Sequence, residues 1–459
     1  MKNRLILKIM IIVGFICSAL IFMNNVPAHY SSLFLLPFCS AVFFFITSLK
    51  IGNNNINVAI SLIFSITLIR YCLHPLLMAY GHFNTVMKVN IQENAEPAVF
   101  LMIYECFAIY MALILSSPKK NLTSSNVYSV SFTKKGWLTL FFLLSYILFA
   151  LVVRPDLKNL FMSIFQIGEN EFTHAGRINE YSVGTFTRII STLFSFVFLT
   201  IRIILPIYVL GWLIKKKKSN FILILCTFLF VLLEFLFVTA TFAESIISSL
   251  IVILSVGKSD KNLFKSIMKI APIFVVGIIV FYFYTRYQVS NMAGGNVSKY
   301  DGNTTIEYLA TLINAYFTGI DNVAAGFNLE RNERIKYFLS SAQVTIPFNT
   351  TIFGRADEIL PSYYNRVNSE IGQIPSTIGN GYFYFGTFFA PVFSFLFAYY
   401  ANKFNNLALQ TRSYWFYIVY LLIAVLLSLG LGMYNEVIIG QYLFNWVIPT
   451  FFVAKLLSK

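Results

Sequence analysis

The chain has 459 residues, of which 58% are hydrophobic and 12% charged, with 49 Phe, 27 Tyr and a mean hydropathy of +0.72. A soluble globular domain is about half apolar and about a quarter charged, so an ordinary soluble enzyme, a disordered protein and a fibrous repeat are all excluded. The net charge of +15 comes from basic residues grouped between apolar runs, which marks loop orientation in a membrane rather than nucleic acid as a partner.

About 20 apolar residues in a helix cross a bilayer. The first such stretch, 5–23, has a basic start but no small-residue cleavage site. It reads as a membrane helix, not a signal peptide. Stretches 33–49, 57–78, 97–117 and 136–153 follow. Arg70 lies within the third and Glu105 at comparable depth in the fourth. A charge near the bilayer centre costs roughly 2.5–3.5 kcal/mol on insertion scales, so these residues either pair inside the bundle or meet a lipid-linked anion. Arg202 in stretch 185–214 and Glu234 in 220–238 pose the same choice. The five cysteines (Cys17, Cys39, Cys72, Cys106 and Cys226) all sit in apolar runs without CxxC spacing and read as small core residues.

Residues 220–257 are too long for one crossing. The polar tip Thr239 to Glu244 divides them into 220–238 and 245–257. Charge supports the division: Lys215 to Lys218 precede the stretch, and Lys258, Lys261, Lys265 and Lys269 follow it. Two crossings return both clusters to one side, as the positive-inside rule requires. Stretches 268–286, 378–401, 413–432 and 437–456 complete twelve. With the amino terminus inside, 20 basic residues fall on inner segments and 12 on outer ones, and Asp260 is the one inner acid of 19. The reading is therefore an all-α polytopic membrane protein with both termini cytoplasmic. Helices occupy 1–286 and 378–459, with a shorter outer loop at 154–184 and a large one at 287–377. The large loop, about 90 residues long, has room to fold back over the membrane as amphipathic helices, with candidates at Thr305 to Tyr316 and Glu330 to Leu339.

The chain has no GxxxxGK[ST], HExxH, GxSxG or DxD-type inner motif. Its histidines are His29, His74, His82 and His174, none of them in the large loop. No metal and no cofactor is expected. The outer segments are instead rich in arginine: Arg177 and Arg188 around the first long loop, Arg286 at the end of the ninth stretch, and Arg331, Arg334, Arg355 and Arg366 in the large loop. Arginine grips phosphate oxygens bidentately and keeps its charge in a low-dielectric site. Arg331 and Arg334 sit in the mixed run ERNERIK and read as a solvated face. Glu370 follows Arg366 by four residues, so a helix there puts both on one face.

The large loop ends in GQIPSTIGNGYFYFG, Gly372 to Gly386. A large outer loop closing on P-S-x-x-G-x-G-Y-x-Y-F-G, followed by three crossings, resembles the O-antigen polymerase (Wzy) family of bacterial envelopes. The span count, the two unequal loops and the Phe/Ile/Asn/Lys-rich usage resemble it over the whole chain. The resemblance implies a metal-independent glycosyltransferase of the bacterial inner membrane. Its donor is a glycan on undecaprenyl diphosphate, transferred to the next lipid-linked repeat unit. Its implied partners are those lipid-linked oligosaccharides and the bilayer, with a chain-length regulator and a flippase beside it. Many relatives carry a basic T-G-x-R-like sequence at the short hairpin tip, whereas this tip reads TATFAESI. Diphosphate binding is therefore expected at Arg286, Arg355 and Arg366, with Arg177 and Arg188 as further candidates. A base for the acceptor hydroxyl is expected among Glu370, Asp357 and Glu244, with Glu370 first. Gly379, Gly381, Tyr382 and Tyr384 are the expected substrate contacts. An O-unit flippase of similar size would have short loops on both sides, and an O-antigen ligase would rely on a histidine in the large loop. A channel subunit would need no basic outer loop.

Overall fold

The computed structural model describes residues 2–51, 57–81, 92–118, 134–157, 184–236, 242–260, 262–270, 277, 305–328, 334–348, 352 and 375–458. Among these residues every regular element is helical. Apolar runs of this length become helices because a helix satisfies its backbone groups within one segment, with no water needed. In chain order they are α1 (Lys2–Phe22), α2 (Leu35–Ile51), α3 (Val58–Tyr80), α4 (Ala95–Ser116), α5 (Lys134–Val153), α6 (Thr185–Lys215), α7 (Asn220–Leu236) and α8 (Phe242–Ser259). They continue with α9 (Thr305–Phe317), α10 (Ile320–Phe327), α11 (Arg334–Thr345), α12 (Thr377–Phe389), α13 (Val392–Gln410), α14 (Tyr414–Leu429) and α15 (Glu436–Leu457). Among the described residues six helical segments are long and apolar enough to cross a membrane: Ala28–Lys50, Val58–Tyr80, Gln92–Ser116, Lys134–Val153, Thr185–Lys215 and Glu436–Leu457. The α12–α13 pair makes a seventh if counted as one span, and α7, α14 and the described apolar part of α1 are shorter. The chain is a helical, multi-pass membrane protein.

One expected crossing is not a straight helix. The stretch 378–401 divides into α12 and α13, bent by 102°. Gly386 supplies the break, with φ 78° and ψ −177°, a region essentially reserved for glycine. Gly381 lets the chain fold back: a Cβ there would lie 2.0 Å from the Ala390 carbonyl oxygen.

The chain forms two compact units. The first holds Met1–Thr123, Ser298–Leu409 and Ile423–Tyr442. Here α1 packs on α2, α2 on α4, and α9 on the second half of α3. Helix α10, absent from the helices expected of the large loop, lies against α4 and α12 with Ile320 to Gly326 all buried. Helix α11 packs on α12 and on the start of α15. At one end of the unit, Asn57 caps α3 and its Nδ2 donates to Asn402 Oδ1 at 2.7 Å and Asn406 Oδ1 at 3.1 Å. Asn402 Nδ2 in turn donates to Ser116 Oγ at 2.8 Å. The start of α3 thus meets the ends of α4 and α13 through side-chain amides, a common tie between membrane helices.

The second unit holds Ser124–Val297, Gln410–Leu422 and Leu443–Lys459. Helices α6, α7 and α8 pack pairwise, so residues 220–257 form two helices, as their charge pattern predicts. Gly136 at the start of α5 lies against Tyr208 and Leu457, and the Tyr414 hydroxyl donates to the Ser255 carbonyl at 3.1 Å. At the other end of α5, Arg154 Nη1 donates to Ser191 Oγ at 2.9 Å. Arg154 also binds Asp156 through Nε at 2.9 Å, and this hydrogen bond holds the Asp156 carboxyl below the usual carboxylate range.

Candidate functional site

Among the described residues, a dense set of buried polar groups lies in the first unit. Helix α3 widens into a π turn over Ile69–Leu73, a feature frequent at functional sites. Arg70 stands in that turn, fully buried. Its Nη1 lies 2.8 Å from Glu105 Oε2. The same guanidinium donates from Nε to the Thr318 carbonyl (2.9 Å) and from Nη1 to the Leu431 carbonyl (2.8 Å). Thr318 follows α9 and Leu431 follows α14, so one cation closes two helix ends where carbonyls carry partial negative charge. Tyr71 and Ser394 donate their hydroxyls to Glu105 at 2.9 and 2.6 Å. Of the two roles open to Arg70, pairing inside the bundle is the one present. Its Nη2 has no hydrogen-bond partner.

One turn further on, His74 is fully buried and neither ring nitrogen has a hydrogen-bond partner. Gly319 presses against it: a Cβ there would lie 2.1 Å from His74 Cε1 and 2.6 Å from Asn314 Oδ1. Asn314 Nδ2 donates to the buried Asp321 at 3.1 Å.

The glycine-rich junction forms the neighbouring wall. Ser376 caps α12, accepting from Gly379 N at 3.0 Å, and Thr377 Oγ1 donates to the carbonyls of Gly430 and Tyr434. Gly379 and Gly381 serve close packing: Gly326 of α10 faces the Gly379 backbone, and Gly381 faces Ala390. Tyr382 is half-buried, its ring 4.2 Å from that of Phe327. Tyr384 is buried, sharing a hydrogen bond of 2.8 Å with Ser341. Asn380 Nδ2 donates to Glu436 Oε1 at 2.8 Å. Asn380 Oδ1 and Glu436 Oε2 have no hydrogen-bond partner.

In the second unit Arg202 binds Glu234 through Nε and Nη2 (2.9 and 2.6 Å) and Glu244 through Nη1 (3.0 Å). The rings of Phe198 and Trp446 lie 5.6 and 5.9 Å from the guanidinium carbon, with Trp446 in a second π turn, Leu443–Val447. Glu244, a candidate base, is therefore engaged in an ion pair. Arg188 is half-buried in the first turn of α6. The remaining candidates (Arg177, Arg286, Arg355, Arg366, Asp357 and Glu370) lie outside the described residues.

Sequence reasoning missed Asn380, Asp321 and Glu436. The signal for Glu436 was the polar break GMYNE between two apolar stretches, which reads as an ordinary turn. Among the described residues no group of three or more His, Cys, Asp and Glu is placed to hold a metal ion. Comparison with family models, curated proteins and solved structures gives no match.

Proposed function

We propose that the protein is an oligosaccharide repeat-unit polymerase of the O-antigen type. It works at the outer face of the bacterial inner membrane and moves a growing glycan from undecaprenyl diphosphate onto the next lipid-linked unit. The observation that carries this reading is the way α9, α10 and α11, all from the large loop, pack among the membrane helices of the first unit beside a dense set of buried polar groups. A loop built into the helical body, rather than tethered beside it, suits chemistry on a substrate held at headgroup depth.

The twelve-span topology, with both termini inside, is supported by the register of helix ends. With the amino terminus inside, the residues meeting at Asn57, Ser116 and Asn402 all lie at inner ends. Those joined around Arg70 (Glu105, Ser394 and Leu431) lie deeper in the bundle, away from that inner end. Cations at Arg286, Arg355 and Arg366 would hold the diphosphate, which leaves without strong protonation.

The test is deletion in the native host and gel analysis of its lipopolysaccharide. The expected outcome is lipid A–core bearing at most one repeat unit. Loss of even that unit points to a flippase, polymer retained on the lipid carrier points to a ligase, and a normal long-chain ladder rejects the proposal. In the complemented strain, Arg286→Ala and Arg366→Ala should each lower turnover about ten- to a hundredfold, the size of one charge-assisted contact. Arg334→Ala, on an exposed position of α11, should be nearly silent.

A further inference from the structure

We infer that Asn380 and Glu436 form the subsite for the attacking sugar hydroxyl, with Glu436 as the base that takes its proton. This rests on the polymerase reading and names a residue set which that reading does not contain.

The two side chains are tied by one hydrogen bond, Asn380 Nδ2 to Glu436 Oε1 at 2.8 Å. That bond fixes both groups and leaves one oxygen on each, Asn380 Oδ1 and Glu436 Oε2, buried without a donor. Asn380 is only 1% exposed. A buried acceptor left without a donor costs about 1–3 kcal/mol, so two from adjacent groups mark a place for an incoming donor. A sugar hydroxyl is such a donor, and it presents a second oxygen one carbon away for the second site. The surroundings suit a sugar as well. The Tyr384 hydroxyl also hydrogen-bonds the Glu436 carboxylate, so an incoming hydroxyl would share that carboxylate with it. The Tyr384 ring continues into Phe338 and Phe385, 5.4 to 5.9 Å apart and both exposed. The C–H face of a pyranose packs on such rings while its hydroxyls reach the amide and the carboxylate. Glu436 as a residue is half-buried, with Oε2 on its covered side. Helix capping does not account for the pair: an acid at the start of α15 needs no buried asparagine with an open oxygen.

The step balances. The acceptor oxygen forms a bond to the donor's anomeric carbon while that carbon's bond to the diphosphate oxygen breaks. The bonding electrons leave with the polyprenyl diphosphate. The hydroxyl proton passes to Glu436 Oε2 and from there to water.

The test uses the full-length protein in proteoliposomes, with lipid-linked repeat units extracted from the deletion strain as the probe. Glu436→Gln keeps the oxygen that accepts from Asn380 but cannot take a proton. It should lower kcat at least a hundredfold with KM within about threefold, and abolish the acid limb of the pH–rate profile. Glu436→Asp, which keeps the base but shortens it, should retain partial activity and that limb. Asn380→Ala should act mainly on KM. An unchanged melting temperature for Glu436→Gln separates loss of the base from loss of the fold. If Glu436→Gln does not accumulate, Glu436→Asp decides: a wild-type rate without the acid limb overturns the inference. A polymerising wild type with an equally active Glu436→Gln also overturns it, and it alone. A wild type that forms no polymer from this probe overturns the polymerase reading and the inference together.

Discussion

Arg70 shows how much one buried charge organises. It joins Glu105 to the carbonyls of two helix ends, at Thr318 and Leu431, which lie 248 and 361 residues away along the chain. Pairing of Arg70 and Arg202 with Glu105 and Glu234 was one of two readings open from the sequence, because an isolated charge at that depth is costly and those acids lay at comparable depth. The carbonyl partners were not legible, because nothing local in the sequence connects positions so far apart. Removing one member of a buried pair strands the other. Arg70→Leu and Glu105→Leu should therefore each destabilise by about 3–5 kcal/mol, and the double variant should be less damaged than either single one. Arg70→Lys should not rescue, since a point charge cannot reach acceptors set around a planar fork. Thermal unfolding of detergent-purified protein measures all four. Equal stability of Arg70→Leu and wild type would remove the clamp from the account of the fold.

At the scale of elements, apolar length was a sound guide and broken helices were the exception. Length alone placed α2 to α6 and α15 close to their observed bounds. It missed the bend between α12 and α13, because hydropathy averages over a window and a single glycine dihedral does not alter the average. Gly379 and Gly381, expected as substrate contacts, lie close to protein backbone in the structure. Helix α10 escaped notice because its eight residues, IDNVAAGF, are too few to show a period. The two bend glycines predict different responses. Gly381→Ala puts a methyl group 2.0 Å from the Ala390 carbonyl oxygen, so the α12–α13 packing must open. Gly386→Ala meets open space but forces alanine to φ 78°, costing about 1–3 kcal/mol. Gly381→Ala should thus abolish accumulation, while Gly386→Ala should yield folded protein with a lower melting temperature, as fluorescence-detected size-exclusion chromatography can show. Full accumulation of Gly381→Ala would contradict the bend.

Across the whole molecule, the separate ties between helix ends constrain topology together. In the first unit Asn57 meets Asn402, which in turn meets Ser116; in the second Gly136 meets Tyr208 and Leu457, and Ser255 meets Tyr414. If crossings alternate from a cytoplasmic amino terminus, every one of these residues falls at an inner end. A missed or extra crossing between any two would put tied residues on opposite faces of the bilayer, which no hydrogen bond spans. The lysine clusters at 215–218 and 258–269 belong to the same side by the charge rule, an argument independent of the contacts. Cysteine labelling in intact cells tests both at once. The native cysteines are buried or half-buried within apolar helices and should react little with a membrane-impermeant maleimide. Ser298→Cys, in the large loop, should be labelled from outside. Lys216→Cys should be labelled only after the inner membrane is opened. Labelling of Lys216→Cys in intact cells would invert the protein, and with it the side on which Glu436, Arg286 and the polymerase chemistry have been set.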